Sequence, residues 1–147
     1  MLYEQNVSAA GIVLFRRTTY ENEFLGLIAL DEHQKRCKGK YDITKGRIDP
    51  GETPIEAAIR ECKEESGIEP IRIVAGPFYS GSLVVWLGEA DPYDEVTILP
   101  NSHTGKPEHK GYEWLSPSEI STQCLPYLRK YVNWACEESA KYSKVSW

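Results

Sequence analysis

The sequence predicts a mixed β-sheet sandwiched between helices, an α/β or α+β fold in a single domain. Three observations carry this. Short apolar runs rich in strand formers recur along the chain, two stretches switch to helical spacing, and no repeat, low-complexity tract or linker interrupts the series. With 147 residues, 41% of them hydrophobic, the chain can bury one real core, so residues 1–147 are read as one domain.

The elements follow in order. "AAGIVLF" (9–15) is continuously apolar and too short for a good helix, which marks a buried strand, and "EFLGLIAL" (23–30) reads the same way after the polar turn "RRTTYEN". The polar, basic "DEHQKRCKGKYDITKG" reads as a loop running into a short strand. From Thr53 to Ser66 the pattern becomes helical. Pro54 is tolerated in the first turn, Gly67 suits the position past the last turn, and Ile55, Ala58, Ile59 and Cys62 form a core-facing stripe. Strands are expected at 71–76, 82–90, 94–99 and 111–116. Ser116-Pro117-Ser118-Glu119 reads as a helix start, and a last helix is expected from Leu125 to Lys141, with Leu128, Val132 and Ala135 on one face.

Composition narrows the function classes. A formal net charge of -5 argues against a broad nucleic-acid surface, although Lys35, Arg36, Lys38 and Lys40 form a local basic cluster. The opening "MLYEQNVSAAGIVLF" has no basic head before its apolar run, and no run is as long as a membrane span, so a cytoplasmic protein without a membrane partner is expected. Cys37, Cys62, Cys124 and Cys136 lack C-x-x-C spacing and read as reduced, space-filling thiols; a structural zinc site is not expected.

The densest signal is "KGRIDPGETPIEAAIRECKEESGI" (45–68). On a helix Glu61, Glu64 and Glu65 stand at i, i+3 and i+4 and share a face, where like charges repel. A divalent cation turns that repulsion into a binding site, because hard ions such as Mg²⁺ take oxygen ligands and share them with substrate phosphates.

Gly46, Glu52 and then Arg60-Glu61-Cys62-Lys63-Glu64-Glu65-Ser66-Gly67-Ile68 resemble the Nudix box of the Nudix hydrolases, G-x5-E-x7-R-E-U-x-E-E-x-G-U, which here spans 46–68. Cys62 stands where the family usually has an aliphatic residue, and a buried cysteine behaves as a small hydrophobe. The resemblance implies a Nudix fold and a metal-dependent pyrophosphohydrolase using Mg²⁺ or Mn²⁺. It implies metal ligation by Glu61, Glu64 and Glu65, an orienting ion pair between Arg60 and Glu52, and phosphate contact by Lys45, with Arg47 able to do similar work.

A second stretch, "EHKGYEWLSPSEI" (108–120), resembles that of the animal-type asymmetric dinucleoside tetraphosphatases, as do "AAGIVLFRR" and the approach to the box. This implies that Glu108 binds metal or acts as general base, with Glu61 the rival base. His109 is a further candidate for phosphate contact, and Tyr79 and Tyr112 are candidates for an adenine clamp; Trp86 is assigned to the core. The implied substrate is a small nucleoside polyphosphate, best a dinucleoside tetraphosphate cut to ATP and AMP. Two features depart from that pattern: "YDITKG" where W-x-x-P-K-G is usual, and a connection of only "SGS" after Tyr79. The alternatives are an RNA 5′ end, a diphosphoinositol phosphate, and a nucleotide-sensing module without turnover.

Overall fold

The computed structural model describes residues 6–142; the first five residues of the N-terminal reading lie outside them. The architecture is set by β1 (Ala9–Arg17), whose continuous apolar run is explained by burial on both faces. Ala10, Ile12 and Leu14 point into one apolar cluster, while Val13 and Phe15 point into another on the opposite side. β2 (Asn22–Ala29) alternates in the same way, with Leu25 and Leu27 on the first side and Phe24 on the second.

Among the described residues, seven strands form one mixed sheet. β6 (Leu83–Glu89) runs parallel to β1, and β5 (Arg72–Ser80) pairs antiparallel with β6. On the other side of β1 the sheet forks. β1 and β2 pair only through Phe15–Arg17 and Asn22–Phe24; beyond that, Tyr41–Asp42 (β3) pairs with β2 and Thr44–Arg47 (β4) pairs with β1. β7 (His109–Leu115) lies on the outer side of β2. The fork places Lys45, Gly46 and Arg47 where the strands part.

Helices cover both faces. α2 (Pro54–Ser66) buries Ala57, Ala58 and Cys62 in the Ile12/Leu14 cluster. Its start is fixed by a capping box between Thr53 and Glu56 with Pro54 in the first turn, and its end by Gly67 at φ 76°. α3 (Pro117–Gln123) and α4 (Arg129–Ser139) close the Val13/Phe15 face through Ile120, Val132 and Ala135. Trp86 is buried beside α2, as expected, and all four cysteines are free thiols.

Four elements differ from the sequence reading. Residues 31–37, read as loop, form the helix α1 (Asp31–Cys37), which buries no side chain. Its support is electrostatic: Asp31 and Glu32 lie in the first turn and Lys35 and Arg36 in the last, matching the helix dipole. Residues 94–99 form no strand. Val96 and Ile98 do alternate into the α2 cluster, but the Thr97 N–H bonds to the Ser66 carbonyl at 2.8 Å, so the segment is tied to the end of α2 and not to a strand edge. β5 continues to Ser80 past Gly76-Pro77, with register shifts there that an edge strand tolerates. The last helix begins late, because Pro126–Leu128 forms a 3-10 turn before α4.

Candidate active site

The fork carries the site. Arg60, one turn into the acidic half of α2, is its organiser. Its Nε and Nη2 donate to the two oxygens of Glu52 at 2.7 and 3.0 Å, a bidentate pair. Nη1 donates to Glu61 at 2.8 Å and Glu64 at 3.2 Å, and Nη2 also donates to the Arg47 carbonyl at 2.9 Å. One guanidinium thus ties the loop before the helix, the helix and β4 together.

The three glutamates of α2 sit in different surroundings. Glu64 is half-exposed, Glu61 is mostly covered, and Glu65 is 9% exposed. Glu65 lies three residues from Cys62 and seven from Ala58, so it falls on the buried stripe; the stripe runs through Ala57, Ala58, Cys62 and Glu65, while Ile55 and Ile59 are half-buried. Its Oε1 accepts the Lys45 backbone N–H at 2.8 Å. Burial pushes the Glu65 carboxyl up to about 10, the Lys45 N–H opposes this, and the neighbouring Glu108 and Asp42 add to it. Burial also raises Glu61, with Arg60 opposing.

Gly46 is required by contact. A Cβ there would meet the Glu61 carboxylate at 2.1 to 2.5 Å, too close for either group to remain in place. Gly46→Ala is expected to displace Glu61 and lower kcat by about a hundredfold, as an ångström of misplacement does, with an unchanged circular dichroism spectrum. Wild-type kcat in that variant would show that the Glu61 position is unimportant.

A cavity of about 410 Å³ opens over this surface. Lys45, Gly46, Arg47, Arg60 and the three glutamates line one wall, and the loop Leu99–His103 with Glu108 lines the other. The Asn101 amide donates to Glu108 at 2.7 Å. Carboxylate oxygens of Glu65 and Glu108 and a ring nitrogen of His109 lie within 4.8 Å of one another. Two carboxylates crowded together, one of them buried, suit a divalent cation whose charge compensates both. His109 itself is buried, bonded through Nε2 to Asp42 at 3.0 Å.

A second cavity of about 390 Å³ shares Lys45, Gly46 and Arg47 with the first and continues past the Ser80–Leu83 turn to Tyr127 and Lys130. The Lys45 ammonium lies 5.7 Å from the centre of the Tyr127 ring, within cation–π range. Neither Tyr79 nor Tyr112 lines either cavity: Tyr79 packs against the α2-side cluster, and Tyr112 stands opposite Leu27 on β7, 41% exposed. The sequence reading missed Tyr127, Lys130, Asp42 and Asn101. Asp42 had a signal in its place three residues before Lys45; Tyr127 had none short of its position after a proline.

The NUDIX domain profile matches residues 5–135. The chain belongs to the Nudix family. This Nudix hydrolase is 32% identical over 130 residues to the rat "Bis(5'-nucleosyl)-tetraphosphatase [asymmetrical]", covering 76% of this chain and 80% of the relative. It is 27% identical over 143 residues to an "RNA pyrophosphohydrolase" of Erythrobacter litoralis, covering 82% of each. Among solved structures, a Caenorhabditis elegans "Ap4A Hydrolase Binary Complex" superimposes with a TM-score of 0.70 at 27% identity, over 92% of this chain and 99% of the other. Among the described residues, no helix is long and apolar enough to cross a membrane.

Proposed function

We propose that this Nudix hydrolase cleaves a dinucleoside polyphosphate asymmetrically, with a dinucleoside tetraphosphate giving ATP and AMP. The observation that carries this is the pair of cavities that share Lys45, Gly46 and Arg47 in their linings. One is lined by carboxylates and cations, suited to a metal-bound polyphosphate; the other offers an exposed tyrosine ring, suited to a flat base. The names of the rat and C. elegans relatives support the same reading.

The residues that would hold Mg²⁺ or Mn²⁺ are Glu64, Glu65 and Glu108. When bound, the ion polarises a phosphoryl oxygen and lowers the pKa of its water. Glu61 has one oxygen held by Arg60, and burial raises its carboxyl, which suits it to act as the base. Water oxygen attacks phosphorus, its proton passes to Glu61, and the P–O bond to the leaving phosphate breaks with the electron pair on the departing oxygen. Lys45 and Arg47 face that developing charge, and Glu52 keeps Arg60 in place.

Tyr127 is the base platform in this reading. Tyr127→Ala is expected to weaken binding of a dinucleoside tetraphosphate by about 1–3 kcal/mol, the range for loss of a stacked base. Calorimetric titration into the Mg²⁺-bound, inactive Glu64→Gln background measures it. Unchanged affinity would remove Tyr127 from the site and return Tyr79 and Tyr112 as the candidates. Comparing kcat/KM with triphosphorylated RNA separates the alternative reading, which requires a steep loss of RNA turnover with salt through Lys35, Arg36, Lys38 and Lys40.

A further inference from the structure

Asp42 is a charged side chain that the chemistry above leaves unused. It ends β3 inside the fork and is 5% exposed. Oδ1 accepts the Ile43 N–H at 2.8 Å and lies 3.2 Å from the Lys45 ammonium, while Oδ2 faces His109 Nε2 at 3.0 Å. We propose that Asp42 is a positioning residue that fixes the tautomer of His109 and so makes the imidazole a nitrogen donor for the divalent ion held by Glu65 and Glu108.

A carboxylate beside an ammonium and a backbone N–H remains ionised and can only accept. In the neutral imidazole the Nε2 beside Asp42 therefore carries the proton of the shared hydrogen bond, and Nδ1 holds the lone pair. Nδ1 has no hydrogen-bond partner among the described residues, and the ring is 6% exposed. A His109 nitrogen already lies within 4.8 Å of the Glu65 and Glu108 oxygens. A carboxylate holding one ring nitrogen while the other meets the ion is a recurrent way of orienting a metal-binding imidazole.

The same carboxylate also anchors Lys45, whose backbone N–H grips Glu65 Oε1. Asp42 thus touches two neighbours of the cation site from beneath it. A nitrogen donor beside carboxylates suits Mn²⁺ better than Mg²⁺, so the inference includes a preference for Mn²⁺. It rests on the metal-dependent reading of this site but on no particular nucleotide.

The test uses the full chain with Mn²⁺ alone. Long-range ¹H–¹⁵N spectra of the wild type are expected to show His109 as the Nε2–H tautomer. Asp42→Asn, whose amide donates to Nε2, is expected to convert it to Nδ1–H. Mn²⁺ titrations followed by the paramagnetic resonance of the free ion should show affinity falling about 10- to 100-fold in both Asp42→Asn and His109→Gln. A wild-type Nδ1–H tautomer, or Mn²⁺ affinity in His109→Gln within about twofold of wild type, overturns the proposal. Should Asp42→Asn fail to fold, the wild-type tautomer and the His109→Gln titration decide. A wild type that binds no Mn²⁺ sinks the metal reading together with this one, whereas failure to cleave a dinucleotide touches only the substrate reading.

Discussion

Glu64→Gln is expected to abolish most turnover while leaving the fold intact. The side chain is half-exposed and contributes nothing to the core, so its removal costs the protein only a surface contact with Arg60 at 3.2 Å. Losing its charge also relieves repulsion from Glu61 by a few tenths of a kcal/mol, an opposing effect of similar size. Thermal stability without metal should therefore stay within about 1 kcal/mol of wild type. Turnover should fall more than about a hundredfold, beyond the loss expected for an outer-shell partner alone. A variant with wild-type kcat would show that Glu64 holds no metal.

The second large effect is in the pH dependence of stability, and it comes from Glu65. Its carboxyl rises from 4.5 to about 10 on folding, mainly through burial. Between those values the folded state holds a proton that the unfolded state has released, so metal-free stability falls as pH rises through this window. Below about pH 4.5 this contribution is fully present. Divalent cation reverses the trend, because the ion replaces the proton and binds better as pH rises. Melting curves between about pH 5 and 9, with chelator and with saturating Mg²⁺, should diverge toward the alkaline end. In chelator, Glu65→Gln should melt at least about 2–4 °C above wild type at the alkaline end, as about 1 kcal/mol would give for a chain of this size. Superimposable pH profiles for wild type and Glu65→Gln would show that Glu65 ionises normally.

Much of this was legible in the residues, for reasons that differ by element. β1 and β6 declared themselves because burial on both faces demands an unbroken apolar run. α2 declared itself through Pro54, Gly67 and the helical stripe, and the Arg60–Glu52 pair followed from the family resemblance. α1 stayed hidden because a helix that buries no side chain leaves no periodic signal, only the order of its charges. Residues 94–99 misled because their alternation is real, yet alternation shows which side chains are buried and not where a backbone N–H finds its partner.

The site divides along the same line. Glu61, Glu64, Glu65 and Glu108 line one cavity because three share a helix face and the fourth directly precedes β7. The stacking residues depend on long-range packing. Tyr127 reaches the fork from the turn before α4, on the face opposite α2, and nothing local in the sequence marks that approach. Glu65 shows the same limit in reverse: helical spacing put it with its acidic neighbours, while packing against β4 buried it and gave it the most perturbed carboxyl of the box.

The measurement that bears most directly on the account is chromatographic product analysis after incubation with Ap4A and Mg²⁺, using wild type and Glu64→Gln in parallel. ATP and AMP in equal amounts are expected from the wild type and almost none from the variant. Two molecules of ADP, equal product from both proteins, or no product from a folded, metal-bound wild type would contradict it.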